Sequence, residues 1–120
     1  MSNLKEESKT SLELPAPEIL GAVGNIVRIE PSDTHVTHLV KPYEGIAVGQ
    51  VVVSMVKITG GPSGSSEDHV VTNTTESIEW KMPVRMFLGK TEIKVSFLVR
   101  YKDEILGRSV ERAYRIEHVS

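Results

Sequence analysis

Thr91-Glu92-Ile93-Lys94-Val95-Ser96-Phe97-Leu98-Val99-Arg100-Tyr101 decides the fold class. Ile93, Val95, Phe97, Val99 and Tyr101 alternate with Glu92, Lys94, Ser96, Leu98 and Arg100. Side chains of a strand point to opposite faces with a period of two, so this segment is a strand with one apolar face. A helix needs apolar residues three and four apart, and odd-only spacing would spread them around its circumference. The chain is therefore expected to form a sheet that buries one side, with Phe97 inward and Leu98 outward.

The residues that follow pair with this strand. A turn centred on Asp103 and Glu104 puts Phe97 opposite Val110, Ile93 opposite Tyr114 and Glu92 opposite Arg115. That register gathers the apolar residues of both strands on one face, each cross-strand pair contributing roughly 0.2–1 kcal/mol. Arg112 then falls opposite Val95 on the inner face, so either it snorkels at an edge or a bulge shifts the register.

Upstream, short apolar runs alternate with breakers. Pro15-Ala16-Pro17 forces an extended entry. Glu18 to Leu20, Ile26 to Glu30, Val36 to Val40, Gln50 to Thr59, Val70 to Thr75 and Ser77 to Met82 read as strands. Ile78, Trp80 and Met82 share one face, and Pro83, with no N–H to donate, stops the ladder. Gly60-Gly61-Pro62-Ser63-Gly64 is expected to be an irregular loop. Met86-Phe87-Leu88 is either one turn of helix or, the better reading, a loop capping the core. Seven to eight short strands about ten residues apart predict an all-β antiparallel sandwich.

Composition bounds the rest. At 120 residues the chain is one domain, large enough to bury roughly two-thirds of its unfolded surface. Met1 to Leu14 is polar and charged and reads as a disordered tail, leaving residues 15–120 as the domain. It has no apolar leader stretch, which points to the cytoplasm or to export independent of a signal peptide. No run is long enough for a membrane helix. The net charge of −2, with acids and bases interleaved, offers no basic patch for nucleic acid. With no cysteine there is neither a disulfide framework nor thiolate chemistry.

No motif names a reaction. His35 and His38, three apart on a strand, point to opposite faces, and with His69 and His118 they read as surface histidines and not as a metal site. Ser63 in Gly61-Pro62-Ser63-Gly64-Ser65 lacks the last glycine of a nucleophile elbow and its strand-to-helix setting. The loop also lacks the Gly-Lys-Ser/Thr ending of a phosphate cradle. Asn73-Thr74-Thr75 is a chance glycosylation sequon. The acids Glu67, Asp68, Asp103 and Glu104 lie in loops that give no enclosure to raise a pKa. Neither a catalytic residue nor a cofactor is expected. Phe97, Tyr101, Trp80 and Tyr114 are all assigned inward, leaving few aromatics for a stacking platform. Tyr43 is either an exposed loop aromatic or a plug at the end of the sandwich, with the plug favoured. The loop candidates for binding are Tyr43, Glu67, Asp68 and His69, because sandwiches commonly carry function on end loops.

Ala16-Pro17-Glu18-Ile19, Pro42-Tyr43-Glu44-Gly45-Ile46 with Gly49-Gln50-Val51, Met82-Pro83 and Val95-Ser96-Phe97-Leu98-Val99 occur in the order found in the immunoglobulin-like repeat domains of large bacterial surface and exported proteins. The chain resembles that family from about Pro15 to Ile116. It departs from it in carrying Gln50 where the family has aspartate. Met55 also stands on the face of Val51 and Val53, expected inward, where the family often has tryptophan. The resemblance implies an immunoglobulin-like sandwich without catalytic residues, acting as a scaffold or adhesion module for a protein or glycan at a bacterial surface. The alternative is an intracellular adaptor or inhibitor that pairs with a protein through an exposed edge strand. Oligomeric state is not legible in the sequence.

Overall fold

Alternation along the Thr91–Tyr101 segment becomes the central strand of the larger of two sheets. The computed structural model describes residues 12–65 and 67–119. In chain order the strands are β1 (Glu18–Ile19), β2 (Ile26–Ile29), β3 (His35–Val40), β4 (Val51–Ile58), β5 (Ser63–Ser65), β6 (His69–Val70), β7 (Ile78–Pro83), β8 (Glu92–Tyr101), β9 (Glu104–Arg108) and β10 (Arg112–His118). A 3₁₀ turn, Val84–Phe87, follows Pro83 and drives the Phe87 ring into the core. One sheet has the order β1-β3-β7; the other has β2-β10-β8-β4-β5, with β6 also on β4 and β9 also on β8. All pairings are antiparallel except β2 with β10. The result is an all-β sandwich of two sheets.

The expected seven to eight strands become ten because two strand lines are interrupted. β5 and β6 run along β4 on either side of residues 66–68, and β9 and β10 run along β8 with a break at Ser109 to Glu111. Gly60 to Gly64 is not wholly irregular, as the glycine count suggested. Its first half is a tight turn with Gly60 at φ +76, and Ser63–Ser65 return as β5. The expected strand Val70 to Thr75 shrinks to its first residue, because Asn73 folds the chain over with its side chain accepting from the Thr75 amide at 2.8 Å.

The last hairpin confirms one register and corrects another. Arg112 pairs with Val95, Tyr114 with Ile93 and Arg115 with Glu92, as expected. The turn residues, however, are Lys102 and Asp103, both at positive φ, and not Asp103 and Glu104. A bulge between Val99 and Arg100 and a second slip between β9 and β10 restore the register. Val110 falls in that break, 66% exposed, so it does not face Phe97; Ser109 does, exchanging bonds with the Phe97 backbone. Arg112 snorkels: its guanidinium lies 4.8 Å from the Tyr114 ring centroid and reaches Asn25 Oδ1 and the Gly24 carbonyl at the sheet edge.

Two facings are also corrected. Tyr101, expected inward, is 40% exposed, because the strand there has run past the end of the sandwich and its ring lies beside Gly49. On β4 the inward residues are Val52, Ser54, Val56 and Ile58, which pair with Val99, Phe97, Val95 and Ile93; Val51, Val53 and Met55 take the outer face. Val53 is buried as well, and apolar residues on both faces of β4 gave no period from which to read its facing.

The inward residues form two apolar clusters. One includes Val36, Val56, Met82, Phe87, Ile93, Val95, Tyr114 and Ile116; the other includes Val40, Tyr43, Val52, Trp80, Phe97 and Val99. Leu14 belongs to the second, which corrects the boundary of the expected tail: Leu12 donates its N–H to the Leu106 carbonyl at 2.8 Å and Leu14 bridges Ser109. Residues 1–11 lie outside the described residues. Leu12 fits there because Gly107 has no side chain. A Cβ on Gly107 would stand 2.7 Å from the Leu12 carbonyl oxygen, a backbone atom with little freedom to move. Gly107→Ala is expected to displace this segment, costing about 1 kcal/mol for the lost backbone bond. Hydrogen exchange should show the Leu12 amide losing protection while Val95 and Val99 keep theirs.

Candidate functional site

Of the four loop candidates, Tyr43 is buried, Glu67 and Asp68 are exposed and His69 is half-buried. Tyr43 plugs the end of the sandwich, 4% exposed, its ring centroid 5.9 Å from that of Phe97. Its hydroxyl donates to Gln50 Oε1 at 2.6 Å, and Gln50 Nε2 donates to the Gly45 carbonyl. Burial pushes the Tyr43 hydroxyl up to about 12, so it remains a donor at any ordinary pH. Gln50, where the resembled family has aspartate, thus ties down the Pro42–Gly49 loop without burying a charge. Asp68 pairs with Arg100 at 2.6 Å; with both side chains more than 40% exposed, the pair contributes little to stability. The Glu67 carbonyl accepts from Trp80 Nε1 at 2.8 Å, and the His69 ring meets Trp80 edge-on. These contacts brace β7 against the β5–β6 connection and bring Glu67 and His69 together around Trp80.

His38 corrects the expectation of surface histidines. It is fully buried, with Nδ1 and Ser54 Oγ sharing a hydrogen bond of 2.7 Å between the two sheets, and its ring packs 5.3 Å from Trp80. Its Nε2 has no hydrogen-bond partner. Burial lowers its pKa from 6.5 to about 4. A histidine beside a serine is the start of an acyl-transfer site, but both side chains are at 0% exposure and no substrate atom reaches them. His35 and His118 are exposed, and among the described residues no three metal-ligating side chains converge.

The open side of the sandwich offers different chemistry. β5 and β7 are the neighbouring edge strands of the two sheets, and a groove of about 280 Å³ lies between them. Val56, Ile58, Met82 and Met86 line it, together with Pro62, Pro83 and the exposed Lys81. Three of the other edges, those of β1, β7 and β9, are guarded in the usual ways. β1 is two residues long and carries the Glu18–Lys41 pair, β7 presents Glu79 and Lys81 and ends in Pro83, and the β9 edge is covered by Leu12 to Leu14. β5 reads Ser63-Gly64-Ser65, wholly exposed, without charge or proline.

Its backbone polarity follows from the ladder. Ile58 donates to the Pro62 carbonyl, and Val56 pairs with Gly64 two positions further on. Hydrogen-bonded and non-hydrogen-bonded pairs alternate in an antiparallel ladder, so Gly64 bonds inward to β4. Ser63 and Ser65 therefore turn their N–H and C=O groups to the free edge. Sequence reasoning missed this site because glycine and proline marked the segment as a loop. The available signal was the absence of charge from Ser63 to Ser65.

Comparison with known protein families, curated proteins and solved structures gave no match.

Proposed function

We propose that the chain is a non-catalytic immunoglobulin-like binding module that takes an extended segment of a protein partner onto the β5 edge. The observation that carries this reading is an uncharged edge with outward backbone groups beside an apolar groove. Main-chain bonds to such an edge supply affinity, and side-chain pockets beside it supply selectivity. The three-stranded β1-β3-β7 sheet facing the sheet centred on β8, with β2 parallel to the last strand, supports the immunoglobulin-like assignment.

The test is selection of nine-residue peptides from a random displayed library, followed by mapping on the amide spectrum. Ser65→Pro removes one outward donor and breaks no bond to β4, and proline is tolerated on an edge. The selected peptides are expected to shift the β4–β5 amides and to lose at least tenfold in affinity on Ser65→Pro, with the melting temperature unchanged within a few degrees. Peptides that map elsewhere, or that ignore Ser65→Pro, would overturn the reading.

A second reading is favoured by the apolar residues exposed at the sandwich end, Val48, Tyr101 and Ile105. It is a scaffold or adhesion module at a bacterial surface, contacting protein or glycan with that end. Detection of the native protein only in the cytosolic fraction of its host would eliminate it.

A further inference from the structure

The groove beside β5 owes its depth to a missing side chain. Gly64 stands opposite Val56, on the face turned toward the other sheet, and a Cβ built on it would meet nothing within 4 Å. Its φ lies outside the left-handed region, so the backbone does not demand glycine here. The open volume of about 280 Å³ is slightly below the range of roughly 300–1,000 Å³ typical of small-molecule pockets. It is room for one or two amino-acid side chains.

Strand geometry says which side chain would enter. An antiparallel segment bonded to the outward groups of Ser63 and Ser65 places one residue opposite Gly64 in a non-hydrogen-bonded pair. In such pairs Cα atoms approach to about 4.5 Å and both side chains share a face. Gly64 leaves its half of that space empty, so the incoming side chain points into the groove. The walls suit it, because Met82 and Met86 are flexible thioethers that adapt to irregular apolar shapes. The lining adds a charge preference: Lys81 is exposed and makes no ion pair with a described residue.

We infer that the groove is a selectivity pocket for one large apolar side chain of leucine, methionine or phenylalanine type in the partner's extended segment, with an acidic residue nearby drawn to Lys81. The inference rests on β5 being the acceptor edge, and it adds which partner sequences that edge accepts.

The probes are acetylated peptides Lys-Thr-Glu-Thr-Xaa-Thr-Glu-Thr-Lys with Xaa as Gly, Ala, Leu, Met or Phe, titrated by NMR into the full chain. The Leu, Met and Phe probes are expected to bind at least tenfold more tightly than the Gly probe and to shift the Met82 and Met86 methyls. Gly64→Leu fills the groove from within and should erase that difference, whereas Ser65→Pro should weaken all probes alike. Lys81→Ala should weaken these probes but not a series with Gln replacing Glu. Equal affinity across Xaa, or a Leu preference that survives Gly64→Leu, would overturn the pocket while leaving the β5 edge intact. Binding of any probe that survives Ser65→Pro, or no binding at all, would remove the edge reading and the pocket together. Two outcomes would assign the groove to other occupants and overturn the inference: methyl shifts produced by sodium octanoate but by no peptide, and a Ser65→Pro-sensitive dimer that excludes the probes.

Discussion

Phe97→Ala is expected to lower the free energy of unfolding by roughly 3–5 kcal/mol, as for other buried aromatics cut to alanine. Phe97 is 2% exposed, between Val95 and Val99, which are both at 0%. Its partner across the ladder is Ser54, and the small serine leaves the width that the ring occupies. No larger neighbour on β4 stands ready to collapse into the space, so the cavity term should be nearly complete. The ring also supports Tyr43 at 5.9 Å, so its loss should loosen the Pro42–Gly49 loop. Urea unfolding is the measurement. Leu98→Ala, on the half-buried outer face, should cost about 1 kcal/mol. A larger loss at Leu98 than at Phe97 would mean that the outer face of β8 meets a further layer.

Acid is expected to weaken the domain through His38. Its folded-state pKa of about 4 lies below the ordinary value of 6.5, because burial disfavours the imidazolium. Between those values the unfolded chain binds more protons than the folded one, so stability falls as pH falls. The contribution is fully present above about pH 6.5 and is lost progressively down to about pH 4. The gap from 6.5 to about 4 corresponds to about 3 kcal/mol. Denaturant titrations at several pH values should show this slope, and His38→Leu should remove about 3 kcal/mol of it. An unchanged slope in His38→Leu would show that the acid sensitivity arises elsewhere. His38 and Ser54 lie where the two apolar clusters meet: Val36 and Val40 flank the histidine, and Val52 and Val56 flank the serine. Charging that junction would strain the contact between the sheets.

Where burial was one-sided, the sequence could be read. On β8 and β10 a polar outer face left a clean period of two, which gave the strands, the inward facing of Phe97 and the Arg112–Val95 register. β4 carries valines on both faces, so its pattern is flat and its facing came out inverted. His38 was misread because a histidine looks the same in sequence whether solvated or buried. What holds it inside is Ser54, sixteen residues away on the other sheet. The candidate site was the least legible part. A groove between β5 and β7 depends on which strands end each sheet, and the uncharged Ser63-Gly64-Ser65 does not by itself say which strand, if any, lies beside it.

The sequence by itself determined an all-β domain, the central strand, the pairing of Arg112, Tyr114 and Arg115 with it and a core centred on Phe97, because alternation acts between neighbours in the chain. Only the tertiary structure decided that Tyr43 is a plug, that His38 joins the two sheets, and that Ser63-Gly64-Ser65 is an open edge. Each of these depends on what a distant segment places, or fails to place, against the residue.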